Sequence, residues 1–175
     1  RYIQAGGGFV GIHAAADTEY DWPWYNRLVG AYFQSHPSIQ AATINVIDTT
    51  HLSVKGLPAT WERTDEWYNY KSIYAGMHIL AELDEKTYEG GENGAHHPIA
   101  WYHEFDGGRA FYTGGGHTKE AYSEPLFLKH VLGGIKYAMG ENVKLDYSKS
   151  YATKTPEENR FTKTILSNDL NFYDC

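Results

Sequence analysis

The spacing of apolar residues changes several times along this chain, and each change marks an element. Phe9-Val10-Gly11-Ile12 is a short apolar run without alternation, the pattern of a strand buried on both faces of a parallel sheet. It is expected at the sheet centre. Residues 1–5, followed by Gly6-Gly7-Gly8, read as the last turn of a helix ending in glycine. The small-residue segment His13-Ala14-Ala15-Ala16-Asp17 then leads into residues 22–30, a predicted helix with Pro23 in its first turn. Residues 42–47 alternate apolar and polar, predicting a half-exposed strand. Residues 77–83 predict another strand, 61–70 loop and short strand, and 89–97 a glycine-rich loop. The segments 99–103 and 109–113 flank Asp106-Gly107-Gly108, a hairpin signal. Between Pro125 and Met139, Leu128, Val131, Leu132, Ile135 and Ala138 recur at helical spacing, with Gly140 as cap. Past residue 141 the periodicity fades, so one domain over 1–140 is followed by a linker or C-terminal arm over 141–175.

The length of 175 residues suits one domain. No apolar run approaches the roughly 18 residues of a membrane-spanning helix. With 22 Asp and Glu against 15 Lys and Arg, and no basic cluster, nucleic acid is not expected as a partner. The lone cysteine, Cys175, rules out an internal disulfide and implies no thiol chemistry. The two triple-glycine runs, Gly6-Gly7-Gly8 and Gly114-Gly115-Gly116, lack the dinucleotide spacing and a phosphate-loop lysine, so they read as turns and no nucleotide cofactor is expected. Nine His, five Trp and fifteen Tyr are the residue types of carbohydrate and metal sites.

His13 stands where a strand turns into a small-residue segment, the place where a side chain is lifted above the carboxyl end of a sheet. A single histidine in such a place is ordinarily a hydrogen-bonded core residue, but the alanines and glycines around this one would not bury it. His117 repeats the arrangement after 109–113. His36 and His97 each precede a proline, which holds the residue extended. With His103 they complete a set of candidate metal ligands or acid/base groups, His13, His36, His97, His103 and His117, beside the carboxylates Asp17 and Glu66. No compact ligand spacing is present, so a metal site would be assembled from distant segments. His51, His78 and His130 read as an exposed loop, a strand and a helix residue without a role. Trp22, Trp24, Tyr25, Trp67, Tyr68 and Trp101 are candidate sugar-stacking residues, since their rings are apolar on the face and polar at the edge.

Taken in order, Gly6-Gly7-Gly8-Phe9-Val10-Gly11-Ile12-His13-Ala14-Ala15-Ala16-Asp17, Trp22-Pro23-Trp24-Tyr25, Gly30-Ala31-Tyr32-Phe33 with His36-Pro37, Asp65-Glu66-Trp67-Tyr68, His97-Pro98-Ile99-Ala100-Trp101-Tyr102-His103 and Gly116-His117-Thr118 resemble the ThuA-like, trehalose-utilisation family over residues 1–140. The resemblance implies an α/β fold, flavodoxin-like and akin to class I glutamine amidotransferases: a three-layer sandwich with a mainly parallel sheet. His13 then stands at the elbow where those amidotransferases hold cysteine, and His117 falls near their catalytic histidine. Without a thiol, amidotransferase chemistry is not expected. Family members ordinarily begin with further strands and helices, so the chain is expected to be truncated and to lack the first strands. The segment after Asn142 resembles a connector to a sugar-dehydrogenase-like domain. The family is found mostly in the periplasm or at the cell surface, with cytoplasmic members.

These readings lead to an enzyme of carbohydrate catabolism acting on a disaccharide or its 3-keto form, served by a fused or neighbouring sugar oxidoreductase. A divalent metal, Zn or Mn, would be held by the histidines and polarise a keto-sugar carbonyl, with Glu66 or a free imidazole moving the proton. His13, His117, Glu66 and Asp17 are the candidate catalytic residues. A non-catalytic sugar-binding or docking module attached to a dehydrogenase is the alternative, and a metal-free hydrolase using two carboxylates is a third.

Overall fold

The computed structural model describes residues 1–151 and the short strand Phe172–Tyr173. In chain order the elements are β1 (Gly8–Ile12), α1 (Pro23–Val29), β2 (Tyr32–Ser35), β3 (Gln40–Val46), β4 (Thr60–Asp65), β5 (Asn69–Lys71), β6 (Ile73–Tyr74), β7 (His78–Asp84), β8 (His97–Phe105), β9 (Gly108–Thr113), α2 (Pro125–Met139) and β10 (Phe172–Tyr173). Six strands form the main sheet in the order β1-β9-β8-β7-β3-β4, while β2 pairs with β5 and β6 with β10.

The α/β layering expected from the sequence is present. On β9, Ala110 packs with Leu28 of α1, while a Cβ on Gly134 of α2 would strike the ring of Phe111. Successive strand residues face opposite sides, so the two helices cover opposite faces of the sheet. The sheet itself is mixed rather than mainly parallel: β1 and β9 run parallel, and the other four neighbouring pairs are antiparallel. Short connections account for this. The β8–β9 hairpin turns through Asp106 and Gly107 at φ 49° and 88°, the doubly left-handed turn whose twist matches a tight hairpin. Nor is β1 central. It forms one end of the described sheet, and Phe9, Val10 and Ile12 are only partly buried.

Helix α2 begins at Pro125 and ends before Gly140, as the sequence predicts, but a different face is buried. Phe127, His130, Gly133, Gly134 and Ala138 face the sheet, and Leu128, Leu132 and Ile135 are exposed. Glycine sets this phase: a Cβ on Gly133 would lie 2.4 Å from the Leu52 carbonyl oxygen, so only the glycine side of the helix can approach so closely. Phe127, fully buried, contributes about 2 kcal/mol. His51 also departs from expectation. It is buried, with its ring stacked on Tyr102 at 4.3 Å, because the short loop after β3 folds under α2. Residues 141–151 lie back on the body: Asp146 N–H donates to the Ala5 carbonyl, and the Tyr151 hydroxyl to Asp106. The remainder of the arm, residues 152–171 and 174–175, falls outside the described residues.

Candidate functional site

The carboxyl ends of β1, β4 and β9 place His13, Glu66 and the 114–118 loop together. His13 follows the last residue of β1 and adopts φ 45°, a left-handed conformation that is costly for a side chain and typical of sites where geometry is enforced. The backbone is held there: the Tyr112 hydroxyl donates to the His13 carbonyl at 2.8 Å. Elbow and strand end are thus as the sequence predicts, but His13 is buried at 5% exposure, against the expectation that its small neighbours would leave it open.

The hydrogen bonds of this ring define its protonation. Nδ1 lies 2.8 Å from the Gly114 carbonyl oxygen, which can only accept, so Nδ1 carries hydrogen. Nε2 lies 3.0 Å from Glu66 Oε2. A contact at that distance takes a positive species between or upon the two atoms, a proton or a metal ion. His117 Nδ1 closes the triangle, 3.2 Å from His13 Nε2 and 3.3 Å from Glu66 Oε2. Ligand atoms about 2.0–2.2 Å from a divalent ion, at tetrahedral or octahedral angles, sit about 3.0–3.4 Å apart. The three edges fall in that range, and the backbone carbonyl on Nδ1 is the outer contact that a metal-ligating histidine needs. Two nitrogens and one carboxylate oxygen therefore fit a divalent ion.

Asp65, which the sequence reading did not single out, builds this triangle. Fully buried, it accepts the backbone N–H groups of Glu66, Gly116, His117 and Thr118 at 3.0, 2.7, 3.1 and 3.2 Å. Arg63 balances its charge at 3.3 Å and is itself clamped by Glu124 at 2.7 Å. One carboxylate thus fixes both Glu66 and the loop carrying His117. The only sequence signal was an acidic pair at the end of an alternating strand.

Of the other candidates, His36 joins from outside. Its Nδ1 lies 2.8 Å from the Pro37 carbonyl oxygen and 3.3 Å from Glu66 Oε1. Tyr68 stacks on His13 with centroids 4.0 Å apart, and burial, reinforced by Glu66 and Asp17, pushes its hydroxyl up to about 12. The phenol therefore stays a hydrogen-bond donor. Asp17 is exposed and accepts from Tyr20. His97 is not part of the triangle. Fully buried, it faces Glu85 at 2.7 Å through Nδ1 and the Tyr68 carbonyl at 2.8 Å through Nε2, bracing the Tyr68 segment. His103 lies toward the far end of β8, bonded to the Arg27 carbonyl, where burial pulls its ring down to about 4.

The aromatic candidates divide sharply. Trp67 and Trp101 are fully buried, their indole N–H groups on the carbonyls of Gln40 and Val29. Trp24 donates to Asp106 at the hairpin, the opposite end of the sheet from His13, and Trp22 stacks on Trp24. Tyr25 donates to the Ala15 carbonyl. Of the six, only Tyr68 touches the histidine cluster.

Comparison with known proteins agrees with this architecture. A ThuA-like protein of Bacteroides uniformis superposes with TM-score 0.67 at 26% identity, over 78% of this chain and 60% of that one. A ThuA-like protein of Parabacteroides merdae gives 0.65 at 23% identity, over 82% and 65%. The chain thus spans less than two thirds of the length of either. A β-galactosidase of Rahnella shares the fold at TM-score 0.51 and 16% identity. No curated protein matches the chain. Among the described residues no helix is long and apolar enough to cross a membrane. The family model for ThuA, trehalose utilisation, matches residues 1–138; the chain belongs to the ThuA family.

Proposed function

We propose that this domain is a metal-dependent enzyme acting on a disaccharide or its 3-keto form, with His13, Glu66 and His117 holding a divalent ion such as Zn or Mn. The observation that carries the reading is the triangle of His13 Nε2, Glu66 Oε2 and His117 Nδ1, with edges of 3.0, 3.2 and 3.3 Å. A bound ion would supply Lewis-acid polarisation of a sugar carbonyl. The chain's own residues do the rest. In a 3-keto-glycoside the C2 proton is acidified by the adjacent carbonyl, and the glycosidic oxygen leaves from C1. His36 Nδ1 faces the Pro37 carbonyl and Glu66 while the side chain is 43% exposed, so its Nε2 would take that proton and return it to the departing oxygen. The Tyr68 hydroxyl, held protonated, donates to the developing oxyanion. A sugar oxidoreductase, fused or separate, would introduce the keto group.

Burial of Trp67 and Trp101 removes two of the rings that a sugar-binding module would use, and the exposed Trp22 stacks on Trp24, which bonds Asp106 at the opposite end of the sheet from His13. The test is incubation of full-length, metal-loaded protein with 3-keto-trehalose and related 3-keto-glycosides. Cleavage that His13→Ala and His117→Ala abolish is expected; unchanged substrates would overturn the reading.

A further inference from the structure

An open groove of about 660 Å3 runs along β4, a volume within the range of small-molecule sites. Two of its lining residues come from the segments that carry the outer histidines: Ile39, three residues after His36, and Thr118, directly after His117. The lining is amphipathic. Ile39, about half exposed, and Ala41 are apolar, whereas Thr64, Thr118, Glu62 and Glu120 offer hydroxyl and carboxylate oxygens. The guanidinium that lines the groove, Arg63, is already committed to Asp65 and Glu124.

We propose that this groove is a subsite for the sugar ring beyond the one that reacts. The proposal rests on the carbohydrate reading of the histidine cluster and adds where the second ring lies. A pyranose has an apolar C–H face, which fits Ile39 and Ala41, and a rim of hydroxyls, which donate well to carboxylates. Because Arg63 is neutralised and the other charged lining groups are carboxylates, the groove favours an uncharged polyhydroxylated ring over a phosphorylated one.

The test is calorimetric titration of zinc-loaded full-length protein with trehalose and with glucose. Wild-type protein should bind trehalose more tightly than glucose. The exposed double variant Glu62→Ala/Glu120→Ala should lose about three- to tenfold in trehalose affinity, the loss of one or two hydrogen bonds. Glucose affinity, zinc stoichiometry and thermal midpoint should stay unchanged. If trehalose affinity survives the substitutions, or both sugars lose equally, the groove is not the subsite. Wild-type protein that binds neither sugar overturns the subsite; the carbohydrate reading itself falls only if 3-keto-trehalose is also left unchanged.

Discussion

Asp65 Oδ1 accepts the His117 backbone N–H at 3.1 Å and the Glu66 backbone N–H at 3.0 Å. The carboxylate beside Glu66 in sequence therefore holds the loop that faces Glu66 in space. Removing it leaves four backbone donors without an acceptor and Arg63 with Glu124 as its remaining carboxylate.

Asp65→Ala should lower stability by about 3 kcal/mol, since four backbone donors lose their acceptor while Arg63 keeps only Glu124. Urea unfolding measures this. Metal titration of the folded variant should show weakened affinity, because His117 is no longer held against His13 and Glu66.

Two buried histidines make the fold acid-sensitive. Burial holds His103 and His130 down at about 4, below the ordinary value of about 6.5. Their folded-state values are depressed, so the native state keeps them neutral while the unfolded chain takes up protons first. Stability is fully present above about pH 6.5 and falls between 6.5 and 4, by on the order of 3 kcal/mol for each. Urea midpoints across that range should drop, and His130→Phe should flatten the dependence even if it lowers stability at pH 7.

Close approach of α2 to β1 depends on Gly8. A Cβ there would sit 2.0 Å from the Ala138 carbonyl oxygen, and backbone cannot give way as a flexible side chain does. Gly8→Ala should cost about 1–3 kcal/mol, a drop of several degrees in thermal midpoint.

Local signals in the sequence translated well. Pro125 and Gly140 bounded α2, Asp106-Gly107 turned the hairpin, and the alanines after β1 placed His13 on an elbow. What period alone could not settle was phase and partner. Leu128, Leu132 and Ile135 have helical spacing yet face outward, because Gly133 and Gly134 let the opposite side approach the sheet. Trp67 and Trp101 look like platforms in sequence, but each finds a carbonyl inside the core. His97 lies at the same end of the sheet as His13 but is turned to Glu85 and the Tyr68 carbonyl, and His103 sits toward the other end of β8, so neither joins the triangle. Asp65 was invisible because its value lies in four backbone contacts, which leave no pattern of their own.

The most direct test of the central claim is elemental analysis of full-length protein, purified without chelator and without a histidine tag, beside the His13→Ala/His117→Ala variant. About one equivalent of zinc, manganese or another divalent ion in the wild type, lost in a variant that remains folded, is the predicted result. A wild type that stays metal-free after incubation with zinc and with manganese would contradict it, leaving a proton shared between His13 and Glu66 as the cation at the centre of the site.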